Sequence, residues 1–266
     1  MNTLVKSILC LLPFFFSIQI YGQTTQDSLL DRKLDSLVNK YKTGKASSAE
    51  IKQIKNINYQ IQNGGFGLFE RSRDYDNSLR YINRALNVWI QLRDTANQAN
   101  LHKFKGVLLA HLLKTDEAKG EVGKAIELYQ SKQIAFGIAV SQFDFSKVYE
   151  LNNQYDSAFY FANQSLHFWK PKSDTFRIIT INLQLMNLYL KTNNPGAAEK
   201  IQKDTKSLIG NKTYSNVVML DYYYLSGKTY ETLKRQQDSD SYYKLYKSKF
   251  LAIESKEGYS LKSEYD

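Results

Sequence analysis

The hydrophobic positions of this chain recur with the spacing of amphipathic helices. Ile82, Leu86 and Trp89, for example, follow one another at intervals of four and three residues. This spacing places the three side chains on one face of a helix. Short polar turns separate many such stretches, and the pattern therefore predicts an all-α chain without strands. We expect one helix at 26–43 followed by five antiparallel helix pairs.

Several local signals predict where individual helices begin and end. Ser47 stands three residues before Glu50, which is the spacing of a capping box at a helix start. Pro195 follows Asn194, as expected for the first position of a helix behind its N-cap. Gly210 follows an apolar stretch and predicts a helix end.

The same arrangement of residues recurs every 40 residues. A small residue near the start of the second helix of each pair marks the repeat at intervals of 40, 40, 40 and 41 residues: Ser78, Ala118, Ala158, Ala198 and Ser239. Nine residues before each mark stands a large residue: Phe69, Leu109, Tyr149, Tyr189 and Tyr230. A register held over five units indicates stacked structural repeats.

This spacing of large and small residues resembles that of tetratricopeptide repeat (TPR) proteins. The unit is longer than the usual repeat of about 34 residues, and its early tryptophan is missing. The resemblance implies a right-handed superhelical solenoid of antiparallel helix pairs with units of about 40 residues. We divide the chain into a signal peptide (1–22), a capping helix and linker (23–47), the repeat domain (48–258) and a tail (259–266).

The resemblance also implies a binding surface, because the first helix of each TPR pair lines the concave face. The expected groove residues are Gly67, Glu70, Arg71, Val107, Ala110, His111, Lys147, Glu150, Leu151, Asn187, Leu190 and Lys191. Of these, Arg71, His111, Lys147 and Lys191 form a ladder of donors for carboxylates or backbone carbonyls. Leu151 and Leu190 could supply apolar contacts. The alternative is that all of these residues are ordinary solvated helix positions.

The first 22 residues have the layout of a signal peptide. Lys6 precedes a largely apolar run at 8–20, and small and polar residues follow it. A membrane span is the competing interpretation, but the run holds a proline and is shorter than the roughly 20 residues that a span needs. The sequence predicts export to the periplasm or the outside of a bacterium, with a mature protein that begins near Gln23. Cys10 is the only cysteine, so the mature chain would contain no disulfide.

The formal net charge of +10 raises nucleic acid as a possible partner. Most of the excess lies in the first third, where residues 23–110 carry 14 basic and 8 acidic groups. The acidic residues interrupt the basic ones, whereas nucleic-acid surfaces usually cluster their bases. A basic surface that faces acidic envelope lipids or an acidic partner is the better interpretation, and we expect no nucleic-acid ligand.

No motif in the chain predicts catalysis, a cofactor or a metal site. His102, His111 and His167 do not stand at the spacing that a helical metal site favours, and we expect ordinary surface or groove histidines. The "GGFG" stretch at 64–67 lacks the lysine and hydroxyl residues of a phosphate loop, and close helix packing or a local break explains it better. We therefore predict a non-enzymatic protein without cofactors.

Two functions fit these observations. The first is an exported interaction scaffold that binds a peptide or an envelope protein in its concave groove. The second is the periplasmic sensory region of a signalling protein with a histidine-kinase or helix-turn-helix output that this sequence does not contain. The sequence holds no second apolar run long enough to cross a membrane, which favours the scaffold.

Overall fold

The computed structural model describes residues 31–212 and 214–257, except for the side chains of 70–72 and 254–257. The expected signal peptide and C-terminal tail lie outside these residues. The described part of the chain contains eleven α-helices and no strand, which confirms the predicted fold class. The helices are α1 (31–42), α2 (Ser48–Ser72), α3 (Tyr75–Gln91), α4 (Thr95–His111), α5 (Thr115–Ser131), α6 (Ala135–Leu151), α7 (Tyr155–Trp169), α8 (Thr175–Lys191), α9 (Pro195–Ile209), α10 (Asn216–Thr232) and α11 (Gln236–Glu257).

The predicted helix starts and stops are present. The Ser47 hydroxyl accepts a hydrogen bond from the Glu50 backbone N–H at 3.3 Å, and the Glu50 carboxylate accepts one from the Ser47 backbone N–H at 2.9 Å. Asn194 caps the first turn of α9, where Pro195 occupies the first position. Gly210 ends α9 with a φ of 50°. These local features depend on side chains within one turn, so sequence alone is enough to place them.

Left-handed turns recur at regular intervals between the helices. Eight non-glycine residues have φ values between 53° and 60°, and the first seven are spaced 20 residues apart: Arg73, Arg93, Leu113, Gln133, Asn153, Ser173, Asn193 and Lys234. At Leu113, for example, the following Lys114 N–H donates to the Leu109 carbonyl at 2.9 Å, and the Leu113 N–H donates to the Ala110 carbonyl at 3.0 Å. These two bonds satisfy carbonyls that the helix end would otherwise leave unpaired. Successive pairs therefore stack in register.

The small residues of the repeat lie at the helix crossings. Ser78, Ala118, Ala158, Ala198 and Ser239 are all 0% exposed. Where α4 crosses α5, a Cβ added to Gly106 would lie 2.4 Å from Val122 Cγ2 and 2.9 Å from the Ala118 carbonyl oxygen. Small side chains at these positions allow the two helix backbones to approach each other closely. The "GGFG" stretch lies within continuous α2, where a Cβ added to Gly64 or Gly65 would lie 3.2 or 3.0 Å from the Tyr81 side chain of α3, so it is a helix-packing feature.

One histidine differs from expectation. His102 is only 4% exposed, and its Nδ1 lies 2.5 Å from the Glu121 carboxylate. Lys105 Nζ lies 2.8 Å from the other oxygen of the same carboxylate. The expectation that all three histidines are surface or groove residues is thus wrong for His102, because α4 packs against α3, α5 and α6 and leaves this side chain no path to solvent. The carboxylate supplies the partner that a buried imidazole needs.

Candidate binding groove

An open groove with a volume of about 1010 Å³ lies in the described part of the protein. The first helix of each pair contributes to its lining, and α8 contributes residues from Phe176 to Lys191 along its full length. These inner helices contact one another directly, α4 with α6, α6 with α8 and α8 with α10. The groove is therefore a surface that the stacking of the pairs creates and that no single pair possesses.

Seven of the predicted binding residues line this groove: His111, Lys147, Glu150, Leu151, Asn187, Leu190 and Lys191. Val107 also lines it. Ala110 does not, since it is 3% exposed and packs in the core with Ala118 and Val148. Gly67 is absent from the lining, and the side chains of Glu70 and Arg71 lie outside the described residues. The structure thus brings eight of the ten described members of the expected set to one surface.

Glu150 lies at the centre of a polar network in the groove wall. Its carboxylate is 8% exposed and accepts hydrogen bonds from Gln184 and Asn187, each at 2.7 Å. Lys191 Nζ forms an ion pair with it at 2.6 Å. Because Glu150 is on α6 and its three partners are on α8, the network joins two successive repeats. Lys191 therefore already has a partner within the protein, and it can offer a ligand only the N–H groups that Glu150 leaves unused.

The charges around the groove are mainly positive. Among the described side chains, five basic residues and two carboxylates line it: Arg73, Lys147, Arg177, Lys191 and Lys228 against Glu150 and Asp221. The Glu150–Lys191 pair cancels one charge of each sign. A concave surface with low-dielectric walls concentrates the field of the remaining cations and attracts anionic ligands.

Aromatic rings hold several of these cations in place. Lys147 Nζ lies 4.6 Å from the centre of the Phe143 ring, and the Arg177 guanidinium lies 5.4 Å from the Trp169 ring. A cation over a ring face loses some of its conformational freedom but keeps its charge. Such fixed cations need less additional ordering when they bind an anion.

Stacked rings form one end of the groove. The His111 and Tyr75 rings lie parallel, with centroids 4.9 Å apart and planes 7° apart, and Phe69 lies 5.6 Å from His111. Sequence reasoning predicted His111 but missed Tyr75, which is the first residue of the outer helix α3. Only the packing of α4 against the first pair brings Tyr75 to the groove.

Sequence reasoning also missed the contribution of the fifth pair. Lys228 of α10 stands 41 residues after Asn187, which itself stands 40 residues after Lys147, and all three line the groove. Continuing the repeat register by one more unit would have identified Lys228. Arg177, near the start of α8, had no such signal because the positions used came only from the last turns of the inner helices.

Comparisons with known proteins identify the architecture. BtubC (BKLC) from P. vanneervenii superimposes with a TM-score of 0.63 at 12% identity, over 88% of this chain and 94% of that one. A kinesin light chain from Podosopora anserina, with nearly identical TPR-like repeats, gives a TM-score of 0.55 at 9% identity, over 75% of this chain and 96% of that one. The chain has a TPR-like repeat fold. No family model matches the sequence, and no curated protein matches it either. At such low identities the likeness concerns the fold alone.

The described residues contain neither a candidate membrane span nor a cluster of metal ligands. None of these helices is long and apolar enough to cross a membrane. No group of three or more histidine, cysteine, aspartate or glutamate side chains within 31–212 and 214–257 is placed to hold a metal ion.

Proposed function

We propose that this protein is a non-enzymatic scaffold whose groove binds an extended, acidic segment of a partner protein. The TPR-like fold supports an interaction role, since stacked helix pairs commonly present a concave surface to another chain. The observation that carries the proposal is the excess of cations in the groove lining, with Lys147, Arg177 and Lys228 on three successive inner helices. Lys147 and Arg177 lie over aromatic rings, and Lys228 is oriented by its ion pair with Glu231 at 3.0 Å.

The dimensions of the groove favour an extended ligand. The inner helices α4, α6, α8 and α10 are separated by three steps of about 8–10 Å each, which gives a length of about 24–30 Å. An extended chain rises about 3.3 Å per residue, so roughly eight residues would span these helices. The apolar side chains of Leu151 and Leu190 in the same lining could contact aliphatic positions between the acidic ones.

A selection from a library of random peptides tests this proposal. We expect selected sequences to be enriched in aspartate and glutamate with apolar residues between them. In fluorescence anisotropy, the triple variant Lys147→Glu, Arg177→Glu, Lys228→Glu should bind a selected peptide far more weakly than the wild type. The control carries Lys124→Glu, Lys200→Glu and Lys244→Glu, which change three exposed lysines of the outer helices by the same charge. Equal binding by both variants would contradict the proposal.

We propose further that the protein is exported, on the basis of the charged and apolar pattern at 1–22. A periplasmic or secreted location makes nucleic acid an improbable ligand in spite of the basic charge. Amino-terminal sequencing of protein from fractionated cells should give a start near Gln23. A mature protein that still begins at Met1 would contradict export.

A second candidate function is the sensory region of a signalling protein. One observation favours it: α11 has 22 residues, whereas the other outer helices have 15 or 17. A helix that extends beyond the repeat could lead to a further segment. The reading frame downstream of the gene decides this point, since a continuation into an apolar segment would support signalling and an unrelated gene would favour the scaffold.

A further inference from the structure

Exposed apolar side chains form a row along the edge where the inner helices begin. Phe136, Phe176 and Val217 are each the second residue of an inner helix and are 59%, 45% and 67% exposed. They stand 40 and 41 residues apart, at equivalent positions of three successive repeats. Equivalent positions of stacked repeats lie side by side. The three side chains therefore share one edge of the solenoid, whereas isolated exposed apolar residues elsewhere would need no explanation.

Each of these apolar residues is preceded by an exposed lysine. Lys132 and Lys172 stand four residues before Phe136 and Phe176, and Lys212 stands five residues before Val217. We refer to these six residues as the entry edge. Exposed Lys170 adds a further positive charge beside Lys172.

Two carboxylates at the starts of inner helices act as helix caps. Asp174 accepts a hydrogen bond from the Arg177 backbone N–H at 3.0 Å and so caps α8. Asp94 caps α4 in the same way, through the Asn97 backbone N–H at 3.2 Å. By contrast, neither Ile134 nor Ser215 makes a side-chain cap at the starts of α6 and α10. The partial positive charge of these two helix starts adds to that of the lysines.

We propose that the entry edge docks the protein on an anionic phospholipid surface. Lysines next to exposed aromatic and aliphatic side chains are the chemistry of interfacial binding, in which the cations attract lipid phosphates and the apolar groups enter the region between headgroups and acyl chains. This role goes beyond the proposed groove function. Because Phe176 and Val217 also line one end of the groove, the docked protein would turn that end toward the membrane.

Sedimentation of the full chain with lipid vesicles tests the proposal. We expect binding to vesicles of phosphatidylcholine mixed with phosphatidylglycerol, little binding to phosphatidylcholine alone, and weaker binding as salt rises. Lys132→Glu, Lys172→Glu and Lys212→Glu combined should weaken partitioning on the order of 100-fold, from the contribution of each lysine near an anionic surface. Phe136→Ser with Phe176→Ser should weaken it as well, with all lysines retained.

The matched control is again the triple variant Lys124→Glu, Lys200→Glu, Lys244→Glu. Its affinity for anionic vesicles should stay within a few-fold of that of the wild type. Circular dichroism establishes that each variant is folded. The proposal is overturned if the wild type ignores anionic vesicles, if the control loses as much binding as the entry-edge variant, or if the serine variant binds unchanged. It is also overturned if the entry-edge variants keep vesicle binding and lose only groove-selected peptides, because the edge would then be a protein surface.

Discussion

Replacing Gly106 by alanine should destabilise the protein although alanine is the better helix former. By helix propensity alone, replacing an interior glycine by alanine stabilises a helix by about 1 kcal/mol. The new Cβ, however, would lie 2.4 Å from Val122 Cγ2, about 1 Å inside an ordinary contact, and 2.9 Å from the Ala118 carbonyl oxygen. Val122 is 0% exposed, and the carbonyl belongs to the backbone of α5, so neither can simply turn away.

Relief of this overlap requires α4 and α5 to move apart, and overpacking of this kind costs about 1–3 kcal/mol. We expect Gly106→Ala to lower the unfolding free energy by about 2 kcal/mol and the melting temperature by roughly 4–8 °C. Gly120 supplies the matched control, because a Cβ added there meets no atom within 4 Å. Gly120→Ala should therefore raise the melting temperature by a few degrees, on the scale of about 1 kcal/mol.

Thermal and urea denaturation followed by circular dichroism at the helix band measure both effects. The double variant Gly106→Ala, Val122→Ala should recover part of the loss, since it removes one of the two contacts, and a double-mutant cycle would give the interaction between the two sites. If Gly106→Ala and Gly120→Ala stabilise the protein equally, the close crossing of α4 and α5 does not exist and the repeat register is wrong.

Two further predictions concern the left-handed turns and the half-buried carboxylate of Glu121. Leu113 is 82% exposed and has a φ of 60°, a conformation that glycine adopts without the strain that a Cβ causes. Leu113→Gly should therefore stabilise the protein by about 0.5–1 kcal/mol, whereas Leu113→Ala, which keeps the Cβ, should not. Urea denaturation of the two variants measures the difference. Burial disfavours the charged form of Glu121, but hydrogen bonds from His102 and Lys105 outweigh it and lower the pKa of Glu121 to about 2. Its stabilising contribution should be complete above pH 4.5 and be lost as the pH falls toward 2, and an acid titration of Glu121→Gln should lack this component.

The sequence predicts those parts of this fold that short-range patterns determine. The small residues at 118 and 158 mark helix crossings because any larger side chain there would separate the helices, and the 40-residue register locates them without knowledge of the packing. The capping box at Ser47 depends on one turn of chain. The groove positions came from the resemblance to TPR proteins, and the register carried them to equivalent positions of the successive inner helices.

The remaining features depend on contacts between distant segments. Nothing in the sequence near Glu150 indicates that Gln184, Asn187 and Lys191 meet it, because the rotation of α8 against α6 decides those contacts. The left-handed turns could not be predicted either, because such helix ends are recognised in a sequence by glycine, and this chain has other residues, such as Leu113, at these positions. Burial of His102 likewise depends on the helices that surround α4.

The network around Glu150 predicts opposite effects on stability and on binding. Gln184 and Asn187 donate to different oxygens of Glu150, so in Glu150→Gln only one of them keeps its present acceptor. The other amide has to turn its oxygen toward the new NH2 group, and Lys191 loses its ion-pair partner. Lys191 is 40% exposed along its side chain, so solvent can hydrate the released ammonium, and the loss of stability should be modest, about 1 kcal/mol. The groove at the same time gains one net positive charge, and a released Lys191 becomes available to a ligand carboxylate.

We therefore expect Glu150→Gln to bind a selected acidic peptide several-fold more tightly than the wild type while it unfolds at a slightly lower urea concentration. Lys191→Met is the converse variant: Glu150 stays charged with two amide donors, the groove loses a cation, and both affinity and stability should fall. Anisotropy titrations at two salt concentrations measure the affinities, and the gain in Glu150→Gln should shrink at high salt because it is electrostatic. Tighter binding without salt dependence would mean that the gain is not electrostatic and would contradict this reasoning. Weaker binding in Glu150→Gln would mean that Glu150 itself contacts the ligand, and that the ligand presents a hydrogen-bond donor there and not an acidic group.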